Sequence, residues 1–554
     1  MRHAARLGRW AARLAAFVVL TGFALQSARG QGTTTIAPDD PVYLDLDRLI
    51  AAGVTPRTAV GQRPYSRGEL LRLGLGAQAF LDSASAEDRA TFAPLRTSLV
   101  RVLSRLRDVP RDGSGEHFVP IAFLDRASAA MLLTDAPSRP FTSNGLGTIE
   151  ADLNTLTDER AGRPFVVGSN LALEAGFGVA VRPGFSVQAA PRIWAYDPRN
   201  GVPAGIGGAL LSGHARLVVG KAAITVGREY TSWSQAGGAS LLLSSNAPAT
   251  DMVRLSSDGP FTLPGMFGRV GPIAGTVQVA DLGPSAANSH SLLVSYKLSA
   301  LPSANLELGF SFLNHFGGAG ARSSTASARF FDLTPFIDVF RHHSDSTDLD
   351  SDKLIGFDAR LRLRRLAGIT VFGEMALEDF DPKRVRGMLT DDAAYLGGVR
   401  IPRLVIPSLS STIGYHRTGL RFYEHHLVTN GLASRRFTLG DDLGRDADGV
   451  RASVRWERSP ALSLSIDGAY ETRRNDMYEG VYQPGAGTGL TFRRVSTAPE
   501  EQRARGLLSV RRWSTDGRQL VEVRAGAERT SNFTGVVAPS KVHGVLEVMV
   551  TAFP

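Results

Sequence analysis

The chain has 554 residues, 43% of them hydrophobic, with 59 glycines, no cysteine and a formal net charge of +9. The lack of cysteine excludes thiolate metal sites and a disulfide framework. Residues 1–30 hold five arginines and no acidic residue, so the remainder carries only +4, and so small a charge on so long a chain does not indicate a nucleic-acid partner.

The N-terminus has the pattern of a cleaved secretory signal peptide. Four arginines between positions 2 and 13 precede an apolar stretch, Leu14–Leu25, that is too short to span a bilayer with these flanks. Small residues, Ala28 and Gly30, stand at the two positions that signal peptidase reads. We predict that residues 1–30 are removed and that the mature chain begins at Gln31. A membrane anchor retained on the mature chain is the alternative.

Residues 31–115 are predicted to form a small helical domain. Apolar residues recur at helical spacing up to Gly53, which is a natural stop. Ser66 has the pattern of an N-cap, with Glu69 three residues further on. A third helix is predicted over residues 85–107, with leucines on one stripe and arginines on the opposite face. We interpret that arginine face as solvated or interfacial rather than as a polyanion site.

From residue 116 to residue 554 the apolar residues no longer recur at helical spacing. They alternate with polar residues instead, at a period of two. In the segment 170–196, for example, Phe177 shares one face with other apolar residues and Glu174 lies on the other face. Such segments of about ten residues, joined by turns, are what a transmembrane barrel requires, because its outer face meets lipid and closure leaves no free edge. We predict an antiparallel transmembrane β-barrel of about 18 strands. The alternative is a soluble β-sandwich or propeller.

Residues 216–267 read as strand, polar-aromatic turn, apolar run and Asn-Ala-Pro turn. This stretch resembles the most recognisable block of the Wzi family of outer-membrane, capsule-assembly barrels, although Pro248 follows Ala247 directly and so departs slightly from the family spacing. Further similar blocks follow in the same order. They are Gln62–Arg67, Leu306–Phe310 with Phe316–Gly318, Asp352–Asp358, and Val371–Glu374 with the pair Glu378–Asp379.

The resemblance implies an outer-membrane protein whose helical N-terminal region lies at the periplasmic mouth of the barrel. It also implies a lectin-like, non-enzymatic role, in which the protein holds capsular or other surface polysaccharide on the cell. The expected partners are therefore surface polysaccharide and outer-membrane lipid, with no cofactor, and we expect a monomer. A porin-like channel for small polar solutes is the alternative, and a barrel hydrolase is a third class. An occluded lumen would separate the first two.

The charged residues of the strands suggest two kinds of lumen. Strand parity predicts inward side chains at Glu174, Arg182, Arg192, Asp358, Arg360, Arg362, Arg364, Glu374, Glu378, Glu522 and Arg524. These charges can pair with one another across the barrel without a ligand. Alternatively, some of the arginines meet an acidic sugar polymer, because guanidinium forks match carboxylates and aromatic rings can lie against sugars. The tentative polysaccharide-binding residues are Arg228, Trp233, Arg360, Arg362, Arg364 and Glu374.

Motifs for catalysis or metal binding are weak. Asp348, Asp350 and Asp352 alternate like a calcium loop but lack its glycine and closing glutamate, which favours a solvated loop. The histidine pairs 342–343 and 425–426 are poor chelates, because neighbours on a strand face opposite sides. Glu374 with Glu378–Asp379 could form an acid–base pair, which we treat as a minor alternative. We therefore expect no enzyme and no metal site.

Overall fold

The structure is a computed structural model. It describes residues 32–85, 88–109, 120–140, 149–154, 156–157, 161–182, 184–199, 203–321, 351–378, 385–425, 428–482 and 490–554, together with positions 325, 329 and 333. The predicted signal peptide, Asp348 and Asp350, and the His342–His343 pair lie outside the described residues.

Three helices precede the sheet, as predicted: α1 Val42–Ala52, α2 Arg67–Asp82 and α3 Asp88–Arg105. Gly53 ends α1 with a left-handed φ of 69°, and the Ser66 hydroxyl caps α2 by accepting from the Glu69 backbone N–H at 3.1 Å. The leucine stripes of the helices face one another in a buried apolar cluster. No helix within the described residues is long and apolar enough to cross a membrane.

Eighteen strands form one antiparallel sheet, which confirms the predicted number. The first nine are β1 Ile121–Thr134, β2 Gly168–Arg182, β3 Phe185–Pro198, β4 Gly205–Val219, β5 Ala222–Glu229, β6 Thr250–Ser257, β7 Ile273–Asp281, β8 Leu292–Ser303 and β9 Leu306–Phe316. The second nine are β10 Ser351–Leu363, β11 Ile369–Glu378, β12 Ala394–Ile401, β13 Leu409–Thr418, β14 Ala447–Ser459, β15 Leu462–Arg473, β16 Glu501–Trp513, β17 Gln519–Ser531 and β18 Lys541–Ala552.

The sheet closes on itself through its first strand. Ala127 of β1 pairs with Ala552 of β18 on one side and with Ala175 of β2 on the other. Each remaining strand pairs with its neighbours in chain order. Closure satisfies the backbone groups of every strand and leaves no edge, so the sandwich and propeller alternatives are wrong.

The alternation along the strands places apolar residues outside and polar residues inside. Phe177 and Leu308, both predicted to face lipid, are 45% exposed, whereas Ser186 and Arg192 are buried on the inner side of β3. A closed ring with an apolar exterior is the architecture of an outer-membrane barrel. Two predicted inward arginines differ: Arg182 lies exposed at the end of β2, over the Phe185 ring at 5.8 Å, and Arg364 lies on a turn beyond β10.

The two ends of the barrel differ in how their strands are connected. At the helix end, defined as the end where α1 contacts the barrel, connections such as Gly220–Lys221 and Pro460–Ala461 are short. At the opposite end, the loop end, connections are long and include residues 230–249 and 419–446. This contrast between short turns and long loops is the one that outer-membrane barrels show between periplasm and cell exterior.

Candidate functional site

The helical domain reaches into the lumen and bonds to the inner wall. The backbone N–H groups of Val60 and Gly61 both donate to the Glu307 carboxylate, each at 3.0 Å. The Gln62 amide donates to the Ala274 carbonyl at 2.9 Å and to the Ser299 hydroxyl at 3.0 Å. The segment that links α1 to α2 is therefore fixed inside the barrel by inward groups of β7, β8 and β9.

The arginines of α3 provide a second connection between helix and barrel. Arg101 contacts both Asp45 of α1 and Glu457 of β14 at 3.2 Å, and Arg105 contacts Asp125 of β1 at 2.8 Å. Both arginines are buried. The arginine face predicted as solvated or interfacial is thus interfacial at these two positions.

The arginines of the predicted ladder, Arg360, Arg362 and Arg364, also bond to groups of the protein, and the first two help to dock the helical domain in the barrel. Arg362 donates through Nε to the Ala51 carbonyl at 2.8 Å and through Nη2 to the Ala52 carbonyl, so it satisfies the C-terminal carbonyls of α1. Arg360 lies 3.4 Å from the Glu307 carboxylate. Arg364 donates to the Asn305 side chain at 2.9 Å from an exposed turn. Groups of the protein itself therefore interact with the positive charges that suggested an anionic ligand.

The predicted Glu374 bonds to the segment 230–249, which contains the predicted Trp233 and folds inward from the loop end. The Glu374 carboxylate accepts from the backbone N–H of Leu241 at 3.0 Å, from the Ser240 hydroxyl at 3.0 Å and from the Gln235 backbone N–H at 3.2 Å. Trp233 is only 2% exposed, and its backbone N–H donates to the Leu243 carbonyl at 2.7 Å. These two residues stabilise the inward segment.

A second segment, 419–446, packs on the first. The Tyr423 hydroxyl donates to the Leu241 carbonyl at 2.6 Å and accepts from the Asp441 N–H at 2.8 Å. Burial raises the pKa of Tyr423 well above its ordinary value, which keeps this hydroxyl neutral. Together the two segments and inward residues of the wall form a buried apolar cluster inside the barrel. It includes Trp233, Leu241, Leu313, Leu354, Phe372, Leu396, Phe422, Tyr423 and Leu439.

Two of the remaining predicted inward charges, Glu174 and Asp358, pair within the protein. Glu174 bonds to Arg163 of the 149–167 connection at 2.7 Å and contacts Arg192 at 3.3 Å. Asp358 is paired with Lys297 and accepts from the Gln235 amide at 2.7 Å. The ion-paired lumen without a ligand, the first of the two interpretations drawn from the sequence, therefore describes the positions that the structure shows.

One predicted residue, Arg228, lies elsewhere, on the outer face at the loop end of β5. It forms a bidentate pair with Asp251, at 2.8 and 2.6 Å. Asp251 is directly opposite Asp281 on the neighbouring strand, and His290 contacts Asp281 at 2.8 Å. Like charges placed opposite each other destabilise a sheet, so the flanking cations stabilise this row.

Two arginines from the segment 419–446 complete this cluster. Arg435 and Arg436 form the two-residue tip of a short hairpin, Ala433–Ser434 paired with Phe437–Thr438, with left-handed φ values of 50° and 67°. Such tips normally favour Asn-Gly, because side chains larger than these strain that backbone. Arg436 binds Asp152 at 2.7 Å, and Arg435 lies 3.7 Å from Asp251. We name the rim cluster Arg228, Asp251, Asp281, His290, Arg435 and Arg436.

The rim cluster presents three arginines and is open to solvent. The side chains of Arg436 and His290 are each 63% exposed. Partial burial, and then the neighbouring Arg228 guanidinium, lowers the pKa of Arg435, so an anion beside these arginines would relieve their mutual repulsion. Bidentate guanidinium groups suit carboxylates and phosphates. The cluster can therefore bind an anionic ligand from outside the membrane.

Comparison with known families decides the identity. A family model described as capsule assembly protein Wzi matches residues 150–541, which is more than half of the chain. The chain belongs to the Wzi family. No curated protein sequence matches it.

One solved structure shares the fold of this Wzi-family chain, and two others are similar to it at lower TM-scores. The Escherichia coli outer-membrane protein Wzi, described as involved in group 1 capsule assembly and as a carbohydrate-binding β-barrel, is 15% identical with a TM-score of 0.61; the match covers 93% of this chain and 98% of that one. Pseudomonas aeruginosa OprD is 8% identical with a TM-score of 0.41, covering 79% and 96%. OpdK from the same organism is 11% identical with a TM-score of 0.41, covering 77% and 98%.

The structure also places the weak motifs of this Wzi-family chain. Asp352 is fully buried on β10, opposite His315, so the solvated loop predicted for it is wrong. His425 is buried and its Nδ1 accepts from the Val428 N–H at 3.1 Å. Among the described residues, no group of three or more His, Asp or Glu side chains is placed to hold a metal ion.

Sequence reasoning missed the arginine pair at positions 435 and 436. The only local signal is two adjacent arginines between short apolar stretches, and nothing in the sequence places them beside Arg228, about 200 residues earlier. That proximity depends on the way in which the segment 419–446 crosses the mouth of the barrel.

Proposed function

We propose that this Wzi-family barrel holds capsular or other surface polysaccharide on the cell through its loop end, as a monomer and without enzymatic turnover. One observation carries the proposal: the lumen is filled from both ends, by the helical domain and by the segments 230–249 and 419–446, while the rim cluster stays exposed. A barrel whose lumen is occupied from both ends and whose outer mouth presents exposed arginines suits retention rather than transport.

The rim cluster favours an acidic polymer. Arg435 and Arg436 adopt a backbone conformation that costs energy, and such strain is retained where it positions side chains for a purpose. Asp152 holds the Arg436 guanidinium through Nε and Nη2, whereas Arg435 lies 3.7 Å from Asp251, so both arginines keep donors for a sugar carboxylate. Fixed arginines lose less side-chain entropy when they bind a polymer.

The apolar outer belt supplies the second partner, outer-membrane lipid. Outward side chains such as Val253 on β6, Leu308 on β9 and Phe357 on β10 are each at least 43% exposed. A barrel of this kind needs no partner chain to cover such a face, because lipid covers it. This supports a monomer.

The test is retention of surface polysaccharide in a strain that lacks the protein, complemented with variants. Deletion of the protein should release polymer into the medium. R435Q/R436Q should reduce retention, and the wild-type attachment should weaken as salt rises, because exposed charges are screened over about 10 Å at 0.1 M ionic strength. The matched control is R493Q, a more exposed arginine in another loop, paired with Glu479 at 2.8 Å.

The outcomes separate the function from the site. Full retention in the deletion strain would overturn the function. Normal retention with R435Q/R436Q, or equal loss with R493Q, would remove the rim cluster from it. R360Q/R362Q/R364Q should keep the polymer, because those arginines serve the helical domain and Asn305 instead.

A further inference from the structure

Three turns at the helix end share an unusual composition. They are the 3₁₀ helix Gly265–Val270 between β6 and β7, the turn Arg364–Leu366 between β10 and β11, and the turn over residues 402–408 between β12 and β13. Each presents exposed large apolar side chains next to an exposed arginine. The side chains are Met266, Phe267 and Val270 with Arg269; Leu366 with Arg365; and Leu404, Val405 and Ile406 with Arg403.

These turns are neighbours along one sector of the ring. Only the turn between β8 and β9 separates the first from the second, and it bonds to both sides: the Leu301 N–H donates to the Pro272 carbonyl at 2.8 Å, and Asn305 accepts from Arg364 at 2.9 Å. The next two turns of the ring beyond β13, Pro460–Ala461 and Ser514–Arg518, show no large exposed apolar side chain among the described residues. On that flank the feature therefore ends at the turn between β12 and β13.

The exposure of these side chains is high for residues so apolar. Phe267 is 62% exposed and Val405 is 84% exposed. The outer belt continues above them, through Leu255 on β6 and Leu361 on β10. Within the described residues Arg269, Arg365 and Arg403 form no ion pair, so their charges are available to a partner.

An apolar side chain beside a free arginine suits the boundary of a bilayer. The apolar group enters the acyl region, while the arginine reaches the phosphates of the headgroups. The continuity with the outer belt places the turns at the level where the barrel leaves the membrane. We propose that these three turns form a phospholipid-binding rim that selects anionic glycerophospholipids in the leaflet nearest the helix end.

The test uses the full chain in detergent, with bound lipid counted by native mass spectrometry during titration with phosphatidylglycerol or phosphatidylcholine. The wild type should retain phosphatidylglycerol better. R269Q/R365Q/R403Q should lose that preference, on the order of fivefold in affinity for each arginine, and the loss should shrink at high salt. F267S/V405S should weaken both lipids equally. The control is R518Q, an exposed arginine at the same end that contacts Asp516 at 3.5 Å.

Every variant is accepted only if its mobility changes on heating as the wild type does, and the single arginine substitutions replace the triple one if it fails to assemble. Undiminished phosphatidylglycerol binding by R269Q/R365Q/R403Q, or an equal loss with R518Q, would overturn the proposal. A photo-crosslinker placed at Phe267 in cells should label lipid. Labelling of a protein instead would make this sector a protein-docking surface and would likewise overturn it.

Discussion

Arg362 shows how a single inward side chain can be committed to holding two parts of the chain together. Its guanidinium donates to the carbonyls of Ala51 and Ala52, and it lies so close to Gly53 that a Cβ there would overlap it. The left-handed φ of Gly53 and this close approach both require glycine. An arginine on β10 and a glycine of the helical domain are therefore parts of one contact.

Arg362→Gln should loosen the helical domain while the barrel stays closed. Charge-assisted hydrogen bonds of this kind contribute about 1.5–3 kcal/mol, and glutamine cannot reach both carbonyls. The expected result is faster proteolysis within residues 32–109 of the detergent-purified protein, with unchanged heat-dependent mobility. Arg364→Gln is the matched control, because that side chain contacts only Asn305 and touches no helix. Equal protection in R362Q and R364Q would contradict this role.

The outward residues allow a direct test of the faces. Phe177→Arg and Leu308→Arg should impair assembly, because an arginine at the lipid midplane of a barrel costs about 2–4 kcal/mol. Ala222→Arg is the control: Ala222 also points outward, but it lies next to Lys221 at the end of β5, where the cost is small. Heat-dependent mobility of the refolded protein measures assembly. Similar damage from all three substitutions would show that depth in the membrane does not matter.

Glu174 shows that an inward position does not imply tolerance of substitution. A polar lumen alone would suggest that Glu174→Gln is harmless. The carboxylate instead neutralises Arg163, with Arg126 and Arg192 within 3.8 Å. Removing its charge would leave Arg192 without its anion and Asp39 as the single carboxylate beside Arg163 and Arg126 among the described residues, which is destabilising.

At the scale of elements, ion pairs of Asp39 fix the segment that precedes α1. Burial by itself would raise the pKa of Asp39, but the guanidinium groups of Arg163 and Arg126 outweigh it and lower the pKa to about 2. Arg163 belongs to the connection between β1 and β2 at the loop end and Asp39 to the helical domain, so their contact at 2.7 Å joins the helical domain to that connection.

This contact should make stability fall in acid. The pKa of Asp39 is lower in the folded protein than its ordinary value of 3.8, so its contribution is complete above about pH 4 and is lost as the pH falls toward 2. The expected loss is about 2 kcal/mol. Thermal unfolding followed between pH 6 and pH 2.5 should show a smaller acid dependence for D39N than for the wild type. D82N, at an exposed aspartate, should keep the wild-type slope.

At the scale of the whole molecule, two fillings enter one barrel from opposite ends and bond to each other through the backbones of Arg63 and Ser232. The helical domain bonds to Glu307 from the helix end, and the segment 230–249 bonds to Glu374 from the loop end. The inward segment resembles neither a flexible loop nor a lid, because its backbone groups are satisfied by the wall and its leucines lie in the apolar cluster. Each filling blocks the path at a different height.

The wild-type protein should therefore not conduct steadily in planar bilayers. Replacing residues 234–244 by a short glycine linker should leave the helical domain in place and conductance low. Removing residues 32–109 and shortening the segment 419–446 as well should produce stable channels, because the segments that occupy the lumen from both ends are then absent. Steady conductance of the wild-type protein would favour the porin-like alternative, and so would normal polysaccharide retention in its absence.

The sequence by itself determined the type of each element and the face of each strand. A pleated strand turns its side chains to alternate faces. An alternating apolar and polar sequence such as residues 170–182 therefore already places Phe177 and Glu174 on different faces. The ends of the helices are also determined locally, because Gly53 and Ser66 end and cap their helices through bonds to residues close to them in the chain. The length of the alternating region and the need to close every edge then led to a barrel of about 18 strands.

Only the tertiary structure decided what the inward side chains bind. Strand parity brings Arg362 and Glu374 to the lumen, but their partners, Ala51 and Leu241, lie 311 and 133 residues away in the chain. The same holds for Arg228, which meets Arg435 because the segment 419–446 crosses the mouth of the barrel. Alternation is a property of the local backbone, whereas the partner of a charged group depends on which distant segment fills the space in front of it.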